Sequence, residues 1–279
     1  MPTIADKRRA FRNLHESGCF VLPNPWDVGS ARYLQHLGFR ALATTSAGAA
    51  FAMGFPDSDR LIPRDAMLAH VHALADACDV PLNVDFGSGY AREPADVAAN
   101  VRLCTDAGVA GLSIEDATGD HAAPLRSLDH AVACVRAARR AIDAAGTDVV
   151  LTARAERFAA RQDLDDVLRR LRAFADAGAD CLFAPGLATR EQIAAVVRAL
   201  APKPVNVLVG APGFTVQELA DLGVRRISVG SALARTAWAG FARAAREIAD
   251  AGRFDGLAAA MPHAALDGFF RDDLARRGA

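Results

Sequence analysis

Acidic and basic residues stand where apolar, strand-like runs of this sequence stop. The run PLNVDF carries Asp85, GLSIED ends in Glu115 and Asp116, and VLTAR ends in Arg154. If these runs are neighbouring parallel strands, their last residues meet at one end of a sheet. Carboxylates and a guanidinium gathered there would form a site for a metal ion and an anionic substrate.

Each of these residues also has a purely structural interpretation. An Asp at a strand end is often a turn former or a helix N-cap, which applies to Asp85 and to Asp57 alike. Arg154 lies in an apolar strand and needs an anion, which could be Glu115 or Glu156 in a salt bridge. The origin of Asp85, Glu115 and Arg154 in three successive runs favours function, because carboxylates held together need a cation or a proton between them.

Short β-rich runs alternate with segments of helical periodicity along the chain, which indicates a (β/α)8 TIM barrel. A doubly wound sheet is the competing architecture, but PNPWDVGS after the first strand is not its glycine-rich phosphate loop. We predict a single barrel domain over residues 1–279, with 237–279 as a C-terminal helical extension. The predicted strands are 19–23, 40–45, 81–86, 111–115, 148–153, 180–184, 204–209 and 225–230. The predicted helices are 27–38, 64–78, 93–108, 127–146, 163–178, 189–201 and 215–223.

Composition narrows the function classes. The chain has 279 residues, is 52% hydrophobic and carries a formal net charge of −1, so nothing indicates electrostatic capture of nucleic acid or membrane. A small-molecule partner is expected instead. The five cysteines form no CxxC pair and indicate buried thiols in a reducing compartment. No signal-peptide core and no run of roughly 20 apolar residues occurs, so we expect a cytoplasmic protein.

Six segments in register resemble the isocitrate lyase/phosphoenolpyruvate mutase superfamily, from about residue 20 to about residue 235. They are NPWDVGSARYLQHLGFRALATTSAGAA, GFPDSD, VDFGSGY, SIEDATG, LTARAERF and GADCLFAPG. Members of that superfamily are (β/α)8 barrels that bind Mg2+ and a 2-oxo acid or related carboxylate, and they make or break a C–C or P–C bond beside its carbonyl. The resemblance implies Mg2+ as cofactor, with Mn2+ as an alternative.

The resemblance also assigns roles by position. Asp85 resembles the direct metal ligand, while Asp57 and Glu115 resemble acidic groups that hold the metal's waters. Arg154 resembles the arginine that clamps the substrate's oxygens, and it is grouped with Asp57 and Glu115 as catalytic. The other substrate-binding candidates are a carboxylate-binding turn and two residues near pocket-lining positions: Thr45, Ser46, Ala47, Trp26 and Asn206.

Two departures from the superfamily pattern bear on the reaction. Gly87 stands where many members have a second acidic residue, so one carboxylate that would hold a metal-bound water is missing. The loop EDATGDHAAPLRSLDH lacks the catalytic cysteine of the lyase branch and the Lys and Asn of the mutase branch. Asp120 and His121 are the titratable residues there, although a loop histidine is more often a solvated surface residue than an acid or base.

The sequence therefore predicts an Mg2+-dependent enzyme that cleaves or forms a C–C bond next to the carbonyl of a small 2-oxo or 2-hydroxy carboxylic acid. It would act like a lyase or an oxaloacetate decarboxylase, through a metal-stabilised enolate. Three alternatives remain. They are a P–C bond mutase or hydrolase of the phosphonopyruvate type, a weakly active 2-oxo acid-binding protein, and a barrel enzyme that binds phosphate in the loops after strands seven and eight.

The remaining features predict surface and assembly. In the C-terminal segment, Leu266, Phe269, Phe270 and Leu274 follow the spacing of one helical face. Superfamily members exchange their last helix between subunits, so the resemblance implies a homodimer or homotetramer. Basic residues on predicted helices and turns are interpreted as solvated surface: Arg139, Arg140, Arg169, Arg170, Arg225 and Arg226.

Overall fold

A computed structural model of the protein describes residues 2–58, 61–120, 122–156 and 163–278. The described chain divides into two compact units, one over residues 2–231 and one from Ala232 onward. The second unit begins ahead of the predicted extension at 237, because one continuous helix starts at Ala232.

Eight parallel strands form a nearly closed barrel in the first unit. Neighbouring strands pair in the order β1-β8-β7-β6-β5-β4-β3-β2. The predicted (β/α)8 TIM barrel is confirmed, and each predicted strand is present. The strands are β1 (Phe20–Leu22), β2 (Leu42–Ala43), β3 (Leu82–Asp85), β4 (Gly111–Glu115), β5 (Val150–Arg154), β6 (Cys181–Phe183), β7 (Val205–Leu208) and β8 (Arg226–Ser228).

Helices precede and follow these strands. They are α1 (Ile4–Leu14), α2 (Val28–His36), α3 (Ser46–Ala52), α4 (Arg64–Ala77), α5 (Pro94–Asp106), α6 (Leu128–Ala144), α7 (Leu164–Asp176), α8 (Arg190–Leu200) and α9 (Val216–Asp221). The seven predicted helices correspond to α2 and α4 to α9, whereas α1 and α3 were not predicted. Of the helices in the described part of the chain, none is both long enough and apolar enough to cross a membrane.

The main apolar core is built from strand residues and the helices that surround the barrel. Val84, Leu112 and Leu151, from β3, β4 and β5, are almost completely buried and share one cluster with Val97 and Val135 of α5 and α6. Successive strand residues point to opposite sides of a sheet. The residues that alternate with this row therefore face the barrel interior, and several of them are polar.

Helix α1 packs against the beginnings of the strands. Phe11 is fully buried in a cluster with Phe20, Ala110 and Val150, which stand at or just before the first residues of their strands. Gly111 makes this contact possible, because a Cβ atom there would lie 2.5 Å from Cε1 of the Phe11 ring. The N-terminal segment therefore closes the end of the barrel opposite the strand ends that hold the predicted site.

His15 ends helix α1 and stays neutral. Its ring lies edge-on to Phe11 and Phe20, with centroids 4.7 and 5.1 Å away. Its Nδ1 donates to the carbonyl oxygen of Phe11 at 2.8 Å, and its Nε2 lies 3.4 Å from Nη1 of Arg226. Burial, together with repulsion from Arg226, lowers the pKa of His15 to about 3.

The second unit contains α10 (Ala232–Ala251), a 3-10 helix (Asp255–Ala259) and α11 (His263–Arg277). The N–H of Gly256 donates to Oε2 of Glu247 at 2.8 Å and links the first two elements. Large apolar side chains of this unit are exposed, with Phe241 at 62% and Phe254 at 63%. In the predicted apolar face of α11, Leu266 and Leu274 are exposed and Phe269 and Phe270 are half-buried.

The neutral His15 makes a pH dependence of stability measurable. Its folded pKa is lowered from 6.5 to about 3, so its contribution is fully present above pH 6.5 and is lost as the pH falls. Between pH 7 and pH 5 we expect the wild type to lose roughly 2 kcal/mol more of its unfolding free energy than His15→Gln. Urea denaturation at both pH values measures the difference. His263→Gln, an exposed position at the start of α11, serves as the control histidine, and an unchanged pH dependence in His15→Gln would contradict the assignment.

Candidate active site

The barrel end at which the strands finish holds a cavity of about 170 Å³. A cavity of this size accommodates a molecule of a few heavy atoms rather than a nucleotide. Of the predicted site residues, seven line it: Thr45, Ser46, Ala47, Asp57, Asp85, Arg154 and Asn206. Glu115 does not line the cavity itself but contacts Arg154, and Trp26 is half-buried outside the lining.

Arg154 at the end of β5 is surrounded by carboxylates. Its Nη1 lies 3.3 Å from Oδ1 of Asp85 and 3.2 Å from Oε2 of Glu115. Its Nε contacts Oε1 of Glu156, two residues further along the chain. The strand register brings these groups together, because Glu115 and Arg154 are direct partners in the β4–β5 pairing. The convergence inferred from the strand ends is therefore present in the structure.

The charged groups of this cluster shift one another's pKa values. Burial opposes the charge of Arg154, but the carboxylates of Glu115, Glu156 and Asp85 outweigh it and raise the pKa of Arg154. Burial also raises the pKa of Glu156, although Arg154 acts in the opposite direction. Three carboxylates share one guanidinium, so the cluster carries an excess of negative charge.

Asp85 is held from two sides. Its Oδ2 accepts hydrogen bonds from the N–H and the Oγ of Ser46, at 3.1 and 2.8 Å, while Oδ1 faces Arg154. Its own N–H donates to Oγ1 of Thr44 at 2.9 Å. Gly87, the departure from the superfamily pattern, has φ of +52°, and its carbonyl oxygen accepts from the N–H of Glu115 at 3.0 Å.

The segment interpreted as a carboxylate-binding turn begins helix α3. Thr45 is the N-cap residue, and its Oγ1 accepts from the N–H of Gly48 at 3.2 Å. Ser46 and Ala47 form the first turn of the helix, with Ser46 directed at Asp85. The segment SAGAAFA then forms a short helix behind the Thr45 cap, and no predicted helix covers it.

Asp116, next to Glu115, turns away from the cavity and holds the neighbouring loops. It is 1% exposed, and its carboxylate accepts from the N–H of Glu156 at 2.8 Å and from Nη1 of Arg170 at 3.0 Å. Burial raises the pKa of Asp116 despite these donors. Arg170, 5% exposed, was interpreted as solvated surface, and this interpretation is wrong because its guanidinium is the buried partner of Asp116.

The remaining predicted residues occupy the margin. Asp57 is exposed and lines the cavity beyond α3. The N–H of Trp26 donates to Oγ of Ser30 at 3.1 Å, in the turn before α2. His121, the loop histidine considered as an acid or base, lies outside the described residues.

Asn24 joins the two ends of the strand order. Its Nδ2 donates to the carbonyl oxygen of Thr44 at 2.8 Å, and its Oδ1 accepts from the N–H groups of Val229 and Gly230, both at 2.9 Å. Strands β1 and β2 do not form a regular pair, and a backbone hydrogen bond from Ala43 to the carbonyl oxygen of Pro23 at 3.0 Å is the adjacent link. A side chain thus completes the barrel at the cavity rim.

Sequence reasoning missed several polar residues deeper in the cavity. Arg226 of β8 was assigned to solvated surface, which is wrong, because it is 2% exposed and lines the cavity from inside the barrel. Asn83 and Ser113 line the same interior wall. The available signal was their place inside predicted strands, where a polar residue has to find a partner or face a cavity.

A larger cavity of about 780 Å³ lies between the loops that follow β3 and β4. Its lining residues include Tyr90, Arg92, Glu93, Thr118 and His130. It does not contain the cluster around Arg154, so we assign the candidate active site to the smaller cavity, where the carboxylates and the guanidinium converge.

The donor set fits a divalent cation. Within the described ranges, no group of three or more His, Cys, Asp or Glu side chains is arranged as a complete ligand set. Mg2+ does not require one, because it commonly binds through one or two carboxylates and keeps several waters. The excess negative charge around Arg154, with Asp85 at the cavity wall, is what such an ion would balance.

The fold defines the protein as a (β/α)8 barrel, and comparisons with known proteins narrow its family. A protein of Burkholderia cenocepacia J2315, assigned only in general terms as a lyase/mutase, has a crystal structure that superposes with a TM-score of 0.91, at 46% identity and 96% coverage of both chains. Oxaloacetate decarboxylase of Paraburkholderia xenovorans (strain LB400) is 33% identical over 233 residues, covering 81% of this chain and 75% of the decarboxylase. Oxaloacetate acetylhydrolase in complex with its product oxalate superposes with a TM-score of 0.86, at 28% identity, covering 100% of this chain and 97% of the hydrolase.

The family model for phosphoenolpyruvate phosphomutase matches residues 11–249. The chain therefore belongs to the phosphoenolpyruvate phosphomutase family, within the isocitrate lyase/phosphoenolpyruvate mutase superfamily, and the resemblance found in the sequence is confirmed.

The hydrogen bonds of Asn24 give a testable contribution to stability. Asn24→Ala removes one donor and one acceptor that serve three backbone groups, one buried and two half-buried, so we expect a loss of about 3 kcal/mol of unfolding free energy. Asn24→Asp keeps the acceptor for Val229 and Gly230, but it buries a carboxylate against the carbonyl oxygen of Thr44, so a loss is expected in this variant too. Urea denaturation measures both, with the exposed Asn13→Ala on α1 as a control that should stay within about 0.5 kcal/mol of wild type. Equal losses for Asn24→Ala and Asn13→Ala would refute the role of this side chain.

Proposed function

We propose that this protein is an Mg2+-dependent enzyme that cleaves or forms a C–C bond beside the carbonyl of a small 2-oxo or 2-hydroxy carboxylic acid. Oxaloacetate decarboxylation is the first reaction to test, since a decarboxylase of oxaloacetate is among the relatives. The observation that carries the proposal is the cluster of Asp85, Glu115 and Glu156 around Arg154 at the mouth of a small cavity.

Asp85 would hold the metal directly, and Asp57 and Glu115 would hold its waters. A bound divalent cation would polarise the carbonyl of the acid and stabilise the negative charge that develops as the bond breaks. Mn2+ could replace Mg2+, because both accept oxygen ligands.

The protein's own side chains orient the acid. Ser46 fixes the Asp85 carboxylate through two hydrogen bonds, so the wall that meets the substrate is held in one position. We assign Arg154 to the oxygens of the substrate, because a planar guanidinium can hold a carboxylate in a way that an ammonium cannot. Thr45, Ala47 and Asn206 complete the lining against which the acid would lie.

The chemistry of the lining favours decarboxylation over reactions that need a separate base. Among the described residues that line the cavity, none is a His, Cys or Lys. In decarboxylation the electron pair of the breaking C–C bond moves toward the neighbouring carbonyl as carbon dioxide leaves, and solvent can return the proton to carbon. No residue has to remove a proton from a substrate hydroxyl.

A thiol-dependent lyase mechanism is disfavoured for a second reason. The nearest cysteine after β4 is Cys134 on α6. It is buried, and its Sγ accepts a hydrogen bond from Nη1 of Arg126 at 2.9 Å. Burial raises the pKa of Cys134, so a reactive thiolate is suppressed there. All five cysteines are described and none is in a disulfide, which supports the reducing cytoplasm as the proposed location.

We further propose a homodimer or homotetramer in which the C-terminal unit contacts a second copy. Trp238, Phe241 and Phe254 expose 45%, 62% and 63% of their surface. The rings of Trp238 and Phe241 adjoin, with centroids 5.3 Å apart, and exposed apolar surface of this kind usually marks an interaction site. Exchange of the last helix between subunits remains a prediction that rests on the superfamily resemblance.

Metal removal tests the proposed activity. We expect purified protein to convert oxaloacetate to pyruvate with Mg2+ and to stop when EDTA is added in excess. Asp85→Asn should lower the rate more than about 100-fold, beyond the 10- to 100-fold cost of groups that only orient a metal ligand. Asp96→Asn, an exposed position in the first turn of α5, should keep wild-type activity. Pyruvate release measured enzymatically gives the rate.

Other outcomes separate the alternatives. Turnover that persists in EDTA, or in Asp85→Asn, would exclude the metal-dependent mechanism. Phosphate release from phosphonopyruvate without oxaloacetate turnover would assign P–C bond chemistry, which the phosphomutase family match keeps in view. Binding of pyruvate, oxaloacetate or 2-oxoglutarate by calorimetry, with no product from any of them, would indicate a binding protein. Gly87 motivates this alternative, because it stands where many superfamily members have an acidic residue.

Light scattering tests the assembly. We expect a mass of at least twice the 29.3 kDa of one chain, and a shift toward the single-chain mass in Phe241→Glu, because a buried charge without a partner opposes association. The control is Glu16→Lys, which changes an exposed charged position just after α1 in the first unit and should keep the wild-type mass. A wild-type mass near 29.3 kDa would rule the oligomer out.

A further inference from the structure

Arg226 is a buried cation whose partners are both neutral. Its Nε donates to Oδ1 of Asn206 at 2.9 Å, and its Nη1 faces Nε2 of His15 at 3.4 Å. The residue is 2% exposed, and burial lowers the pKa of its guanidinium. Among the described residues, no carboxylate makes an ion pair with Arg226.

The His15 ring adds no negative charge. Its Nδ1 must carry the hydrogen, because the group 2.8 Å away is the Phe11 carbonyl oxygen, which only accepts. Its Nε2 is therefore an acceptor for Arg226, as the amide oxygen of Asn206 is. Two neutral acceptors do not offset the cost of removing a guanidinium from water, because neither of them supplies a counter-charge.

The strand register places Arg226 in the same row as the active-site arginine. Direct partners follow one another across the sheet from Arg154 to Phe183, from Phe183 to Asn206, and from Asn206 to Arg226. Partners in one row of a parallel sheet point to the same side. Both arginines line the cavity, three strands or about 14 Å apart along the barrel wall, because neighbouring strands are roughly 4.8 Å apart.

The two arginines differ in how the protein balances them. Arg154 contacts three carboxylates, whereas Arg226 contacts an amide and a neutral imidazole. An anionic group that enters the cavity is therefore attracted more strongly by Arg226 than by Arg154, because no carboxylate of the described residues already balances the charge of Arg226. Elsewhere in the cavity lining, on β3, Oδ1 of Asn83 is a buried acceptor with no hydrogen-bond partner, so the interior is polar and incompletely bonded.

We propose that Arg226 is a specificity-determining residue, which binds a second negatively charged group of the substrate inside the barrel, below the metal-binding end. This rests on the proposed function, which places the 2-oxo or 2-hydroxy end of the acid near Asp85. The subsite takes a carboxylate carried by the same molecule. Asn206 holds the guanidinium in place, and its Nδ2 is anchored by Oγ of Ser228 at 3.0 Å.

Two acids that differ only in the distal carboxylate test this role. L-lactate and L-malate share the 2-hydroxy acid end. Neither has the 2-oxo carbonyl through which the proposed bond cleavage could proceed. Calorimetry with Mg2+ should show wild-type protein binding L-malate at least about 10-fold more tightly than L-lactate. Arg226→Met should weaken L-malate about 10- to 100-fold, the range for losing a charge-assisted hydrogen bond, and leave L-lactate within about 2-fold.

Three further variants separate charge recognition from a structural role. Asn206→Asp keeps Arg226 and supplies it with an internal counter-charge, so the preference for L-malate should fall in this variant too. Arg226→Lys should retain part of the preference because the positive charge remains. Arg225→Met changes the neighbouring arginine, whose Nη1 donates to the carbonyl oxygen of Gly18, and should bind both acids like wild type. If Arg226→Met does not fold, Asn206→Asp decides the question.

The outcomes distinguish this inference from the proposed function. Equal wild-type affinities for the two acids, or equal losses for both in Arg226→Met, would overturn the role of Arg226. Stabilisation of the wild type by chloride alone, abolished in Arg226→Met and without any preference for L-malate, would assign the subsite to an anion from solution and also overturn it. The Mg2+ dependence of L-lactate binding reports separately on the proposed function. Binding of neither acid with Mg2+ would overturn the role of Arg226, while oxaloacetate turnover with Mg2+ would still decide the proposed function.

Discussion

The candidate site depends on the attraction between one half-buried guanidinium and the carboxylates around it. Without Arg154, the side chains of Asp85, Glu115 and Glu156 would repel one another in a poorly hydrated space. The arrangement requires the register of the sheet, because Glu115 and Arg154 are direct partners across β4 and β5. A one-residue slip would turn these side chains to the opposite face. The backbone pairing that makes the barrel is therefore also what balances the charges.

Charge within the cavity is distributed unevenly. The mouth, at Asp85 and Arg154, has more negative than positive groups, whereas the interior has the cationic Arg226 beside neutral partners. A divalent ion would balance the first region and an anionic group the second. An extended acid with a charged group at each end would place one end by the metal ion at the mouth and the other by Arg226 in the interior. The charge distribution of the cavity would therefore fix the orientation in which the acid binds.

Much of the fold could be predicted from the sequence, because alternating strand and helix patterns are local. The strand ends also located Asp85, Glu115 and Arg154 correctly relative to one another. Helix α3 was not predicted because SAGAAFA has no clear apolar period. Arg226 was misassigned because it was grouped with residues of helices and turns, although it lies inside a predicted strand, where a charge needs a partner or a cavity. The role of Asn24 depends on Val229 and Gly230, about 200 residues away in the chain, and no local pattern encodes such a contact.

The way Asn24 completes the barrel has a mechanical consequence. Elsewhere around the ring, adjacent strands are tied by backbone pairing, but between β1 and β2 the tie is one side chain and one backbone hydrogen bond. Thr45 and Ser46 follow directly beyond this joint, on one side of the cavity, and Gly230 lies on the other. A ligand that contacts both sides would link β1 and β2, which are the most weakly connected neighbours in the barrel. Occupancy and resistance to unfolding would then rise together, as linkage requires of any ligand that prefers the closed form.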